Sequence, residues 1–585
     1  QFKAEGTNFT GSLLIGHATT GTISSAQYNT GVGIGALDAL TEGDSNTAVG
    51  RNAATTLTTG NQNVIIGTAA GDALTSGSNN IAIGVNALGG EDAHGKNIAI
   101  GHQALKVQDA GADAYNIAIG FESGIAISTG VYNTLIGGLA GDALTTGNYN
   151  VAIGAYALST EDADGRNVAV GYSALFSQDA GADAYNVAVG YQAGVNVSTG
   201  TLNTLIGGLA GDALQQGSGN VAIGYQALSS EDGHGANVAI GHNSLATLNA
   251  GADAYNVAIG YNAGMGMSTG IYNTLIGSNA GDALTTGSRN VAVGFNALTT
   301  EDEHGYNTAI GYDSLKSLNA GADAYNTALG YRSGYLVSTG IQNTLIGGNA
   351  GDALTTGMNN VAIGYNALSL EDSSSCNVAI GAHALEDQDA GADVYNVAVG
   401  HAAGRNITTG SSNTILGGLA GDALTAGGNS VAIGTQALSS EDDHSFNVAV
   451  GARALQTLNA GAHGYNVAVG YTAGTSMSTG IKNTIIGALA GDAINTGHSS
   501  VAIGYEALGA ATIANHNVAI GMDALATNVA GDRNVAIGSE ALEFMTAAST
   551  TDTYNVAIGY NAGKQVTSGI RNTIIGGLAG DAATT

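Results

Sequence analysis

Short apolar triplets recur down the chain, each led by a polar residue and closed by glycine. Asn220-Val221-Ala222-Ile223-Gly224 is one copy, and versions of it return at nearly fixed spacing. Measured on the leading Asn at 80, 97, 116, 133 and 150, the spacings are 17, 19, 17 and 17 residues. That set of 70 then repeats without insertion or deletion, because Val151, Val221, Val291, Val361, Val431 and Val501 open successive blocks. The sequence is that of a repeat protein before it is anything else.

Alternation within a triplet puts Val221 and Ile223 on one side of a strand and Ala222 on the other. With the larger side chains placed inside, Ala227 and Leu228 return to the same interior. The outer face then becomes a stripe of small apolar residues through Ala82, Ala99, Ala118 and Leu135. A triplet this short, followed by Gly and polar turn residues, reads as strand and not helix. A 17-residue unit with two such strands predicts one coil of a parallel β-solenoid, and no coil buries enough to stand without neighbours. The expected fold class is all-β, a parallel β-solenoid (β-roll) of about 33 coils of 17–19 residues. Stacked at about 4.8 Å per coil, these would form a rod roughly 160 Å long.

Four segments follow from the phase of the repeat. Residues 1–11 form an N-terminal arm expected to pack elsewhere, and residues 12–79 are imperfect 17-residue coils of the kind that end an array. Residues 80–499 hold six 70-residue blocks of four coils each, and residues 500–585 are imperfect again. Neither end shows a blunting cap in sequence, which predicts open strand edges suited to head-to-tail addition.

The leading asparagines have a physical task in such a stack. Asn80, Asn97, Asn116, Asn133, Asn150 and Asn220 are expected to form a ladder whose amides donate and accept along the axis. Gly224 stands where the chain must turn through angles closed to other residues. The 19-residue coil carries two extra residues before Tyr115, Tyr185, Tyr255, Tyr325, Tyr395 and Tyr465. These tyrosines mark a candidate lateral contact loop able to bind a repeated ligand weakly and many times over.

Composition narrows the function classes. With 93 Gly, no Pro and no Trp, the interior must be built from small side chains in thin layers. Charged residues are only 10% of the chain, far below a disordered acidic tail. The net charge of −31 repels nucleic acid and anionic membranes, and no apolar run is long enough for membrane insertion. Cys376 is the only cysteine, so no disulfide framework or zinc cluster is expected. The sequence begins with Gln1, which suggests a removed leader or a segment of a longer chain.

Candidate chemistry is sparse. Polar residues are distributed periodically, where an active site needs one assembled set, so no catalytic residue, no cofactor and no enzyme activity is expected. His94, His234, His304 and His444 share one block position, where Asp164 and Ser374 stand in the other two blocks. Successive copies lie about 19 Å apart along a stack, too far to share a metal unless a three-fold axis gathers them. Single aspartates in oxygen-rich turns make Asp212, Asp253 and Asp282 calcium candidates.

The motif NVAIGxxA resembles the head repeats of trimeric autotransporter adhesins. NTAVG at Asn46 to Gly50 and NVAVGYSAL at Asn167 to Leu175 resemble the shafts of phage tail fibres. The likeness covers residues 12–585, although adhesin head coils are shorter than those here. It implies a left-handed β-roll in which three chains wrap into one rod, at a virion or extracellular surface. The function it implies is a structural shaft that spaces or presents a receptor-binding part, with the chain itself as main partner and a cell-surface receptor or glycan beyond it. Two alternatives stand beside it: an adhesin head that binds host or matrix, and the subunit of a self-assembling filament.

Overall fold

The computed structural model describes residues 2–4, 8–16, 23–547 and 551–584. The chain divides into two units, Gln1–Asn290 and Val291–Thr585. Each unit is a parallel β-solenoid, and no helix occurs among the described residues.

Each coil contributes one strand of three residues, the apolar triplet itself. In the first unit Val221, Ala222 and Ile223 lie in register with Val238, Ala239 and Ile240, and these with Val257, Ala258 and Ile259. The second unit stacks in the same way, for example Val431, Ala432 and Ile433 against Val448, Ala449 and Val450. Identical register in every coil follows from the Asn and Gly that bracket the triplet.

Three expectations need correction. Within the N-terminal arm, Phe2–Ala4 does not pack elsewhere but pairs antiparallel with Leu13–Ile15, Phe2 opposite Ile15. Among the described residues a second strand per coil is also absent from nearly all coils, the one additional ladder there being the two-residue pair Gly531–Asp532 and Thr551–Asp552. The rest of each coil is turn, yet it too is hydrogen-bonded along the stack. Gln226 N–H donates to Gly208 O at 3.1 Å in the coil before, and Leu228 N–H to Ser244 O at 2.9 Å in the coil after. Both residues reach these partners from the left-handed region, at φ 54° and 53°. That conformation costs a non-glycine residue about 1–2 kcal/mol, and the axial hydrogen bonds offset it.

The third correction reverses the faces of the strand. Ala222 is fully buried, whereas Val221 and Ile223 point outward and are half-buried. The reason is volume. Leu228 and the residue eleven after each leading Asn already fill the interior, which leaves room for only a methyl group at the strand centre. Where the centre is Leu205, the position facing it is Gly211, and a Cβ there would lie 2.8 Å from the Leu205 side chain. Gly264 is filled from both sides in the same way, by Leu245 and Leu275. Large and small residues thus alternate to hold interior volume constant.

Gly224 closes its triplet at φ 137°, and a Cβ there would meet Gly241 O at 2.4 Å. Successive closing glycines lie on top of one another, which is why this position admits nothing larger.

Candidate functional site

The interior column eleven residues after the leading Asn is apolar in most coils: Leu74, Ile127, Leu144, Val197, Leu214 and Met267 occupy it. In one coil of every block a glutamate takes this place. Glu91, Glu161 and Glu231 in the first unit, and Glu301, Glu371 and Glu441 in the second, are all 0% exposed. A carboxylate in a leucine column must find donors or a counter-charge. Each opens the turn Glu-Asp-x-(His/Asp/Ser), and in five of the six Oε1 accepts the backbone N–H three residues on: His94 at 3.0 Å, Asp164 at 3.1 Å, His234 at 3.2 Å, His304 at 3.1 Å and Ser374 at 2.7 Å.

The second oxygen is served unevenly. Glu231 Oε2 accepts from Ala250 N at 3.3 Å, and Glu161 Oε2 from Asn167 Nδ2 at 3.4 Å. Glu91 Oε2 has no hydrogen-bond partner, and neither has the amide nitrogen of the equivalent Asn97. Burial pushes the Glu161 carboxyl up to about 7, with Asp164 and Asp179 adding repulsion, and the Glu441 carboxyl up to about 6.

The block-position histidines stand over these glutamates. His94 Nδ1 lies 3.6 Å from Glu91 Oε1, and the corresponding separations are 3.5 Å at His234, 3.5 Å at His304 and 3.3 Å at His444. Around Glu91 the set has four members. One ligand atom each from Glu91, Asp92, His94 and Asp109 lies within 4.8 Å of the others. The metal-capable grouping therefore forms within a single turn and its neighbour, with no three-fold axis required. The sequence held a signal for it: within residues 80–499, a charged residue every 70 positions in a column that otherwise reads Leu, Ile, Val, Met or Gln.

The calcium candidates are placed differently. Asp253 Oδ1 accepts from Gly235 N at 2.9 Å. Asp212 and Asp282 are half-buried, each with Oδ1 lacking a hydrogen-bond partner, and burial raises both their pKa values.

The six loop tyrosines are 43–58% exposed. Tyr115 stacks on Tyr132, which stacks on Tyr149, with ring centroids 5.3 and 5.2 Å apart. Tyr255 stacks on Tyr272, Tyr325 on Tyr306 and Tyr465 on Phe446. Arg166 pairs with Asp183 and lies 5.5 Å from the Tyr185 ring. Where such rings stack, each covers a face of its neighbour, and the Tyr115 hydroxyl accepts from Lys96 Nζ at 2.8 Å.

The predicted asparagine ladder has a definite geometry. Asn97 N–H donates to Asn80 Oδ1 at 3.0 Å, Asn116 to Asn97 at 3.1 Å, Asn133 to Asn116 at 2.8 Å and Asn150 to Asn133 at 2.9 Å. Asn220 N–H likewise donates to Asn203 Oδ1 at 2.9 Å. Along the axis the side chain mainly accepts; its NH2 group turns back to close its own coil, as Asn133 Nδ2 does on Gly147 O at 2.8 Å.

In each unit the outward face of the sheet is uncharged. The first and third residues of every stacked triplet are Val, Ile, Leu or Thr, without one charged side chain. Ile206 and Ile276 are each 37% exposed on it. No family model, curated protein or solved structure matches the chain.

Proposed function

We propose that the protein is a non-enzymatic structural fibre subunit, a β-solenoid shaft at a virion or extracellular surface that spaces or presents a receptor-binding part. Three copies pack through the Val/Ile face of their sheets. The observation that carries this reading is the pair of outward, uncharged and mostly aliphatic columns in each unit. A chain of net charge −31 places no charge on either column in any coil, although charges are the usual protection of a surface meant to stay free. A second copy of the same chain supplies the matching face at the matching spacing. Three-fold packing follows the resemblance to adhesin heads and tail-fibre shafts, and the stacked coils provide length.

The test is to place lysines on the outer column at Val221, Val238 and Val257 and to measure mass in solution. Circular dichroism is expected to stay that of the parent while the assembly loses mass. An unchanged mass with intact β-structure would overturn packing through this face.

A further inference from the structure

The turn that begins at the buried glutamate is chemically overbuilt for a turn. Closing Glu91-Asp92-Ala93-His94 needs only the bond from His94 N–H to Glu91 Oε1, at 3.0 Å. Yet the cluster also holds a second carboxylate oxygen, Glu91 Oε2, fully buried and without a hydrogen-bond partner, and a similarly unpartnered His94 Nδ1. Two exposed carboxylates, Asp92 and Asp109, bring their oxygens within the same 4.8 Å. A buried carboxylate oxygen without a donor is costly, and a leucine fills the same column in the preceding coil, at Leu74. Lys96, the nearest lysine in sequence, is committed to Asp113 at 2.7 Å.

We infer that this cluster is a divalent-cation site, in which Glu91, His94 and Asp109, with Asp92 at its rim, hold a first-row transition ion such as Zn2+. An imidazole nitrogen together with carboxylate oxygens is the donor set of zinc and its neighbours, whereas calcium takes oxygen alone. The cation supplies the partner that Glu91 Oε2 and His94 Nδ1 lack, and the two exposed aspartates provide its path from solvent. The grouping recurs as Glu231-Asp232-His234, Glu301-Asp302-His304 and Glu441-Asp442-His444. Four turns per chain therefore carry the histidine-containing set. The Glu161, Asp164 and Asp179 cluster is its all-oxygen counterpart. At the Glu91 cluster a bound ion would pin the loop of one coil to the next through Asp109.

The experiment titrates the full, chelator-stripped chain with ZnCl2, in parallel with CaCl2, by calorimetry, and records the Co2+ spectrum. The expected result is about four Zn2+ per chain, a midpoint of thermal unfolding that rises with Zn2+ concentration, and a Co2+ spectrum showing nitrogen ligation. Glu91→Leu installs the residue that neighbouring coils use and is expected to keep the fold while removing one Zn2+ per chain. Replacing His94, His234, His304 and His444 together by Gln is expected to weaken Zn2+ binding about 10-fold or more. No Zn2+ uptake would overturn the assignment, as would a stoichiometry unmoved by both variants. Ca2+ binding as tight as Zn2+ and indifferent to the histidines would overturn it too.

Discussion

Asn237 N–H donates to Asn220 Oδ1 at 3.0 Å, while Asn220 Nδ2 reaches His234 O at 3.3 Å. One side chain thus holds two coils in register and closes its own. The same arrangement repeats through each unit, so the solenoid is held by a column of buried amides as much as by its thin apolar interior.

Asn220→Ala is expected to leave the Asn237 N–H and the His234 carbonyl without partners. Each orphaned buried group costs about 1–3 kcal/mol. Asn220→Ser should cost less, since Ser430 fills this position naturally and its Oγ accepts Asn447 N–H at 3.3 Å. Hydrogen exchange at the Asn237 amide resolves the difference: strongly accelerated in the alanine variant, mildly in the serine one. Equal exchange in both would remove the side chain's axial bond from the account.

Gly224→Ala and Gly251→Ala separate close approach from backbone conformation. Both glycines have positive φ, 137° and 69°, but a Cβ at Gly251 meets nothing within 4 Å. We expect about 1 kcal/mol of local destabilisation at Gly251 and about 3 kcal/mol or more at Gly224, where the methyl group would run into Gly241 O. Denaturant unfolding of the two variants checks the order.

Ala222→Leu should overpack its coil by about 1–3 kcal/mol. Adding Leu228→Gly rebuilds the Leu205 and Gly211 arrangement of the coil before. The double variant is expected to be more stable than the sum of the single changes predicts. Strict additivity in thermal unfolding would contradict the conserved-volume explanation for the reversed strand faces.

Acid should stabilise this chain before it destabilises it. Burial raises the pKa of the recurring Gly-Asp-Ala aspartates, among them Asp212, Asp282, Asp352 and Asp422. A carboxyl whose folded pKa exceeds its unfolded value binds more protons when folded. Its destabilising effect at neutral pH is therefore relieved as pH falls through the raised value, and the gain levels off near the ordinary value of about 3.9. Asp113, held low by Lys96, works in the opposite sense, but that pair is exposed and contributes little. A midpoint of thermal unfolding that rises from pH 7 to about pH 5 is the expected result; a monotonic fall over that range would contradict it.

The repeat, the strand positions and the axial role of the asparagines were legible because a fixed period forces equivalent residues into columns. Which side of the strand faces inward was not. The triplet Val221-Ala222-Ile223 shows that two faces differ but not how much space lies behind each, and that space is set by Leu228 and Glu231 from the far side of the coil. The expected second strand failed for a related reason: Ala227 and Leu228 are apolar and buried as a strand's would be, yet Leu228 sits at φ 53° in a turn. Histidine recurrence was visible in sequence, but its partner Glu91 reads as an ordinary turn residue until its column is aligned with Leu74.

The most direct test of the central proposal is the mass of the unmodified protein in solution, by sedimentation equilibrium across a wide concentration range. Packing through the Val/Ile face predicts three times the 57.4 kDa chain mass, maintained on dilution. A single-chain mass at every concentration would mean that these columns stay in water, and would contradict the proposed fibre subunit.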